Sequence, residues 1–224
     1  PCTYGENWSV ENFNSDMLPE WQDLLVETNS TLVEAFGIGY EGEKPEGTEE
    51  DAYWQLLWNS KEDAEAGWET WEGYDKTADW AEANADILAC GSKADTFSFD
   101  AYVRRSRDGL GTFDLTDFSS EYQFCAYNEG QGVDELISVI DDFEDWLVSD
   151  ENSLDSPYTY VVLAPDYETE EFDLAWGNFH QSKEMREAGL ANFLDTAPEI
   201  QEAFDKVLSC QEPNGFNSGQ IPLI

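Results

Sequence analysis

The sequence contains two copies of one pattern, about 122 residues apart. The eight residues beginning at Ser60 recur from Ser182 with six identities. Cys2-Thr-Tyr4-Gly-Glu6 recurs as Cys125-Ala-Tyr127-Asn-Glu129 at nearly the same offset. Trp54 and Cys90 match Trp176 and Cys210 with offsets that differ by no more than three residues. Unrelated coincidences would scatter in offset, so the sequence predicts two homologous units.

The repeat predicts the domain organisation. A first repeat is expected over 1–108, a linker over 109–118, and a second repeat over 119–224. The junction contains Arg107-Asp-Gly-Leu-Gly-Thr, a glycine-containing polar segment typical of connecting segments. A length of 224 residues fits one large or two small domains, and the repeat favours two.

Each repeat predicts the same order of elements: strand, helix, strand, strand, helix, strand. The first strand carries the Cys-x-Tyr-x-Glu motif, and apolar residues at helical spacing follow it. Ser60 and Ser182 are good N-cap residues for the second helix. The expected elements after the first strands are helices at 9–28 and 132–149, strands at 32–40, 52–58, 158–163 and 172–180, second helices ending near Cys90 and Cys210, and last strands at 96–103 and 216–222.

This β-α-β-β-α-β order resembles the ferredoxin-like arrangement. Two copies in one chain resemble the dimeric α/β-barrel family, in which two such sheets pack against each other. The expected fold class is therefore α+β, with two ferredoxin-like repeats packed as a pseudo-dimeric barrel. The chain also resembles uncharacterised acidic secreted proteins of marine bacteria that carry paired cysteines, a resemblance that implies no activity.

The four cysteines favour disulfides over metal. The chain has no C-x-x-C pair, and one histidine cannot complete a standard zinc site. In the resembled fold, the first strand and the second helix run towards the same end of the sheet. This implies the pairs Cys2–Cys90 and Cys125–Cys210. The alternative is four buried free thiols in a cytosolic protein.

Disulfides imply an oxidising compartment. The sequence begins with Pro-Cys and lacks a signal peptide. We therefore expect a secreted or periplasmic protein whose leader was removed, or a fragment of a longer chain. No apolar run reaches the roughly 20 residues that a membrane-spanning helix needs.

The charge restricts the partners. Fifty Asp and Glu against ten Lys and Arg give a net charge of −40. Nucleic acids and anionic membranes are excluded, because phosphate binding needs a basic surface. The acidity indicates a marine or saline setting, while the alternatives are a Ca²⁺ or Mg²⁺ surface and a basic partner protein. The 32 aromatic residues argue against disorder.

The sequence lacks the common catalytic motifs. No G-x-S-x-G, G-x-G-x-x-G or G-x-x-x-x-G-K-[ST] segment occurs. Disulfide pairing would remove the thiolate that a cysteine nucleophile needs. We therefore expect no metal and no cofactor.

His180 is the candidate catalytic residue if the protein is an enzyme. It is the chain's only histidine, and Trp58 stands at the matching position of the first repeat. A residue that differs between the repeats can mark a function of one half. His180 could act as a general base, or as an axial haem ligand as in some relatives of the resembled family. The alternative is a structural histidine at a strand end.

The repeated aromatic and acidic residues are candidate ligand-binding residues. Together with His180 they are Tyr4, Glu6, Trp54, Tyr127, Glu129 and Trp176. Such side chains can line a pocket between the two expected sheets. The alternative is that the rings form the core while Glu6 and Glu129 cap the first helices. Gly67 and Gly189, each inside a second helix, indicate that this helix packs closely on a neighbour.

These observations predict a secreted or periplasmic, non-enzymatic protein. It would bind a small ligand or form part of an extracellular or envelope assembly with a partner protein. The alternative is a monooxygenase of the α/β-barrel type, cofactor-independent or haem-assisted, that uses His180.

Overall fold

The computed structural model describes residues 1–103, 113–154 and 157–223. Its contacts divide the chain into two compact units. Unit 1 contains Pro1–Phe97 and Phe216–Ile224, and unit 2 contains Ser98–Gly215. Residues 109–112 of the expected 109–118 linker lie outside the described residues.

Unit 1 is an α+β unit with an antiparallel sheet. Its strands lie in the order β4-β1-β3-β2-β10. Their bounds are β1 Cys2–Tyr4, β2 Glu34–Tyr40, β3 Ala52–Leu57, β4 Leu88–Cys90 and β10 Asn214–Ile221, and the helices are α1 Val10–Asn12, α2 Leu18–Glu27, α3 Lys61–Glu72 and α4 Asp75–Asn84. A π-helical turn, Phe13–Met17, joins α1 to α2, and a 3₁₀ turn follows β4 at Lys93–Asp95.

Unit 2 is also α+β with an antiparallel sheet. Its strands lie in the order β9-β6-β8-β7-β5. Their bounds are β5 Phe99–Tyr102, β6 Phe118–Tyr127, β7 Tyr158–Pro165, β8 Leu174–His180 and β9 Leu208–Cys210, and the helices are α5 Val133–Leu147, α6 Lys183–Thr196 and α7 Pro198–Val207.

The predicted helix starts are confirmed. Ser9, Ser60 and Ser182 are N-caps whose hydroxyl oxygens accept a backbone N–H three residues later. Glu6 is therefore not the cap of the first helix. The cap residue of α5 is Gly132, which has no side chain to offer, so Glu129 does not take the cap position either.

The second helices end earlier than the sequence predicts. Each is interrupted, at Gly73 in unit 1 and before Pro198 in unit 2. Proline at the first helical position begins a helix well but cannot continue one, because its ring blocks the preceding turn. Cys90 and Cys210 consequently lie in short strands rather than at helix ends.

The two predicted disulfides are confirmed. Cys2 pairs with Cys90 and Cys125 with Cys210, each with a Cα–Cα distance of 4.0 Å. Within each pair the cysteines face each other on adjacent antiparallel strands. All four cysteines of the chain are therefore disulfide-bonded.

The last predicted strands both form, but each pairs with a strand of the other unit than expected. The segment expected at 96–103 forms β5, which pairs with β7 of unit 2. The segment expected at 216–222 forms most of β10, and its residues 216–221 pair with β2 of unit 1. The short strands β4 and β9 occupy the position beside the first strand of each unit.

Each unit has its own apolar core. In unit 2, Leu136, Ile140 and Phe143 of α5 pack with Tyr160 and Trp176 of the sheet. In unit 1, Trp21 and Leu25 of α2 pack with Ala35. Among the described residues, no helix combines the length and apolar character needed to cross a bilayer.

Candidate functional site

Unit 2 contains a cavity of about 600 Å³ between its sheet and its helices. Strands β6 and β8 contribute one wall, and α5, α6 and α7 contribute the other. The aromatic residues that line it are Phe143, Trp146, Tyr158, Trp176, Phe193 and Phe204. The polar lining residues at the end of β8 are Glu121, Asn178, His180 and Arg186. The cavity thus has an aromatic body and a polar end.

Strand alternation places the polar end. Trp176, Asn178 and His180 are two residues apart on β8, so their side chains lie on one face of the sheet. Glu121 of β6 pairs with Asn178 in register, and Tyr158 of β7 pairs with His180. The sheet therefore brings these residues together from three strands.

Asn178 is the centre of a hydrogen-bond network. Its Oδ1 accepts from the Tyr158 hydroxyl at 2.8 Å and from the Trp176 indole N–H at 2.9 Å. Its Nδ2 donates to Glu121 at 3.4 Å. Two donors on Oδ1 fix the orientation of the amide, because that oxygen can only accept. The second N–H of Asn178 is thereby held in a defined direction.

Arg186 and Glu121 form a largely buried ion pair. The Arg186 Nε lies 3.4 Å from Glu121 Oε2, and the exposed fractions of the two side chains are 12% and 19%. Arg186 also donates to the Ser119 hydroxyl at 2.7 Å. Because a buried charge is costly without a partner, the two groups neutralise each other at the polar end.

His180 offers a buried nitrogen without a hydrogen-bond partner. The residue is 7% exposed, and its Nδ1 is buried and unpaired. Its ring lies 4.8 Å from the ring of Tyr158. Burial, with a smaller contribution from the positive charge of Arg186, lowers the pKa of His180 to about 4. The imidazole is therefore neutral at pH 7 and can accept or donate one hydrogen bond to a molecule in the cavity.

The matching positions of unit 1 hold a leucine and a tryptophan, and the buried Nε1 of that tryptophan, Trp58, also lacks a hydrogen-bond partner. In unit 1, Cys2 pairs with Ala52 of β3, and in unit 2, Cys125 pairs with Leu174 of β8. Counting along β3 and β8 from these residues, Leu56 corresponds to Asn178 and Trp58 corresponds to His180. Gly67 and Gly189 lie beside these rings: a Cβ would be 2.8 Å from the Trp58 Nε1 and 2.9 Å from the His180 Cε1. The predicted close packing at both glycines is confirmed, whereas the polar network is a feature of unit 2.

The structure separates the candidate ligand residues. Trp176 and His180 line the cavity, but Tyr4, Glu6 and Trp54 belong to unit 1. Tyr4 stacks on Trp8 with ring centroids 4.3 Å apart, and Trp54 packs between Phe13 and Trp21.

In unit 2, Tyr127 packs against the core and Glu129 is exposed, so neither lines the cavity. The cavity lies within unit 2, between one sheet and its helices, and not between two sheets as the sequence analysis expects.

Four residues around His180 were not predicted from the sequence: Glu121, Asn178 and Arg186 of the polar end, and Tyr158 of the aromatic lining. Asn178 precedes His180 by two residues, so strand alternation alone indicates that the two share a face. Nothing in the spacing of Glu121 and Arg186 points to their pairing, because they lie on different elements.

The cavity does not fit haem well. Of the lining residues, Arg186 is the one cation, and Glu121 already pairs with it. Asp205 and Glu212 add two further carboxylates to the lining, which would repel haem propionates. Among the described residues, no group of three His, Cys, Asp or Glu side chains is arranged to hold a metal ion.

No family model matches the chain, and no curated protein is similar to it. A similar solved structure is the crystal structure of a candidate monooxygenase from Lactobacillus acidophilus NCFM. The similarity covers 99% of this chain and 92% of that chain, with a TM-score of 0.50 and 10% sequence identity. At this identity the likeness concerns the fold alone.

Proposed function

We propose that unit 2 binds a small, largely aromatic organic molecule in its cavity, without converting it. The observation that carries this proposal is the buried, unpaired Nδ1 of His180 at the polar end of an aromatic-lined cavity. A buried polar atom without a partner costs free energy, and a ligand hydrogen bond would remove that cost. The six aromatic side chains supply apolar contact area for the body of the ligand.

Binding is a better role for His180 than proton abstraction. A general base works best when its pKa lies near the operating pH. The pKa of His180 is lowered to about 4, because burial and Arg186 both disfavour the charged imidazolium. The neutral ring remains a good hydrogen-bond partner, so the site favours recognition.

The test compares His180→Phe with Trp58→Phe, a matched control at the corresponding position of unit 1. We expect 2-naphthol, measured by isothermal titration calorimetry at pH 7, to bind the parent protein and the control equally. It should bind His180→Phe about tenfold more weakly, the effect of losing one hydrogen bond. Equal affinity for all three proteins, or no binding to the parent protein, would overturn the proposal.

The second candidate is a monooxygenase of the α/β-barrel type that uses His180. It is supported by the placement of His180 in a cavity and by the fold similarity to a candidate monooxygenase. In a cofactor-independent reaction, a CH₂ group becomes C=O, and the second oxygen atom of O₂ leaves as water. His180 would take the proton that leaves carbon.

An oxygen electrode separates the two candidates. The test substrate is anthrone, whose CH₂ group can be oxidised in this way. If the protein only binds, the parent protein and His180→Phe should consume O₂ at the same rate in the presence of anthrone. Stoichiometric O₂ uptake that His180→Phe abolishes would favour the enzyme. The lining charges oppose haem propionates, so the second candidate is the cofactor-independent reaction. A Soret band in the purified protein would contradict this conclusion.

We also propose that the chain is a tandem duplication of a ferredoxin-like unit. In support, Asp51 accepts from the Tyr4 amide at 2.9 Å, and Asp173 accepts from the Tyr127 amide at 2.7 Å. Both units also keep a disulfide between the first strand and the strand after the helices. The two disulfides are compatible with secretion, and we propose a secreted or periplasmic location.

A further inference from the structure

We propose that the ligand of the unit 2 cavity is an organic cation, with its ammonium group beside Asp205 and Glu212 at the cavity mouth and its aromatic body inside. This inference rests on the proposed binding function and names the chemical class of the ligand. Its inner end would carry the hydroxyl that pairs with His180.

The charges of the lining favour a cation. Four lining residues have carboxylate or guanidinium side chains: Glu121, Arg186, Asp205 and Glu212. Glu121 and Arg186 form the buried pair, which leaves Asp205 and Glu212 with net negative charge. Both of these residues are exposed, as are the lining residues Leu190 and Leu194 of α6, so a ligand group beside Asp205 and Glu212 would be near solvent. Gln201, which also lines the cavity, donates to the Asp205 carboxylate at 2.8 Å.

The aromatic lining favours the same charge. The faces of tryptophan and phenylalanine rings attract cations, most strongly where water is excluded. Phe204 lies 5.5 Å from Trp176 in an edge-on arrangement, and it belongs to the same helix as Asp205. A ligand ammonium at the mouth therefore meets carboxylates and aromatic rings together.

The acidic lining works against anions. A ligand carboxylate would meet Asp205 and Glu212 on entry, and the cation Arg186 is already paired. The net charge of −40 adds a long-range field that raises the local concentration of cations at low salt. A polar atom at the inner end of the ligand would give the buried Nδ1 of His180 the hydrogen-bond partner it lacks.

The experiment uses three probes that share a 6-hydroxynaphthalene ring and differ in the 2-substituent: aminoethyl, hydroxyethyl or carboxyethyl. Affinities are measured by calorimetry at pH 7 and 0.05 M NaCl. We expect the cation to bind about tenfold more tightly than the neutral probe, and the anion to bind most weakly. Raising the salt to 0.5 M should reduce this preference.

Two double variants locate the charge effect. Asp205→Asn/Glu212→Gln should weaken binding of the cation about tenfold and leave the neutral probe unchanged. Asp79→Asn/Glu82→Gln in α4 of unit 1 removes the same net charge and should leave both affinities unchanged. The inference fails if the neutral or anionic probe binds as tightly as the cation. It also fails if the unit 1 control weakens cation binding as much as the mouth variant. Absence of binding by all three probes would instead overturn the proposed binding function.

Discussion

The His180 ring lies directly against Gly189 of α6. A Cβ at position 189 would lie 2.9 Å from the His180 Cε1. The ring also contacts Tyr158, so it has little freedom to move away. The glycine therefore determines how closely α6 approaches the strand that carries the polar end of the cavity.

Gly189→Ala should destabilise the protein by about 1–2 kcal/mol, because the overpacking outweighs the better helix propensity of alanine. In a His180→Ala background the same substitution should stabilise the protein by about 0.5–1 kcal/mol, since the imidazole ring that would contact the new Cβ is absent. Urea unfolding of the four proteins measures both effects. A change of the same sign and size in the two backgrounds would show that the ring is not the obstacle.

The stability of the protein should depend on pH through His180. The pKa of His180 is lowered to about 4 in the folded state and lies near 6.5 when unfolded. The unfolded chain then binds more protons between these values, so the contribution is complete above pH 6.5 and is lost as the pH falls towards 4. We expect the parent protein to lose up to about 3 kcal/mol relative to His180→Phe over this range.

Urea unfolding of both proteins from pH 7 to pH 4 checks the prediction. The difference between them isolates His180 from the many carboxylates that titrate in the same range. A difference that stays constant with pH would contradict the lowered pKa.

Arg186→Met should cost about 3 kcal/mol, because it leaves the Glu121 charge largely buried without its cation. Glu121→Gln/Arg186→Met should recover much of that loss, since both charges are removed together. Thermal unfolding of the single and double variants measures the coupling. Additive losses would show that the two side chains are independent.

Each disulfide should contribute about 4 kcal/mol, because the closed loops are long. Cys125 and Cys210 are 85 residues apart, and Cys2 and Cys90 are 88 apart. Replacing Cys125 and Cys210 by serine should lower the free energy of unfolding by this amount. Non-reducing peptide mapping provides the control, and a Cys2–Cys125 peptide would contradict the pairing.

Salt should stabilise the protein. A net charge of −40 produces repulsion between the acidic side chains, and dissolved ions screen it. The screening (Debye) length falls from about 8 Å at physiological ionic strength to about 3 Å at 1 M. We expect the melting temperature to rise by about 5 °C between 0.05 and 1 M NaCl. KCl should act equally, and sucrose at the same osmolality serves as the control for excluded-solute effects. A flat or falling melting temperature would show that repulsion is not a major term.

The sequence by itself determined the local features. Ser60 and Ser182 were recognised as N-caps from residue type alone, because a serine hydroxyl can accept a hydrogen bond from an unpaired amide in the first helical turn. The spacing of four cysteines in two matching copies, read in the resembled fold, predicted both disulfides. Trp176 was found because it repeats Trp54, and His180 because it is the chain's only histidine and stands where the first copy has Trp58.

Only the tertiary structure decided which candidate residues meet. Pairing of β6 with β8 joins Glu121 to Asn178, and the packing of α6 on the sheet brings Arg186 to Glu121. It also decided that β5 pairs with β7 and β10 with β2, since an antiparallel edge accepts any strand that can reach it. Such choices depend on contacts between segments far apart in sequence, and local patterns carry no information about them.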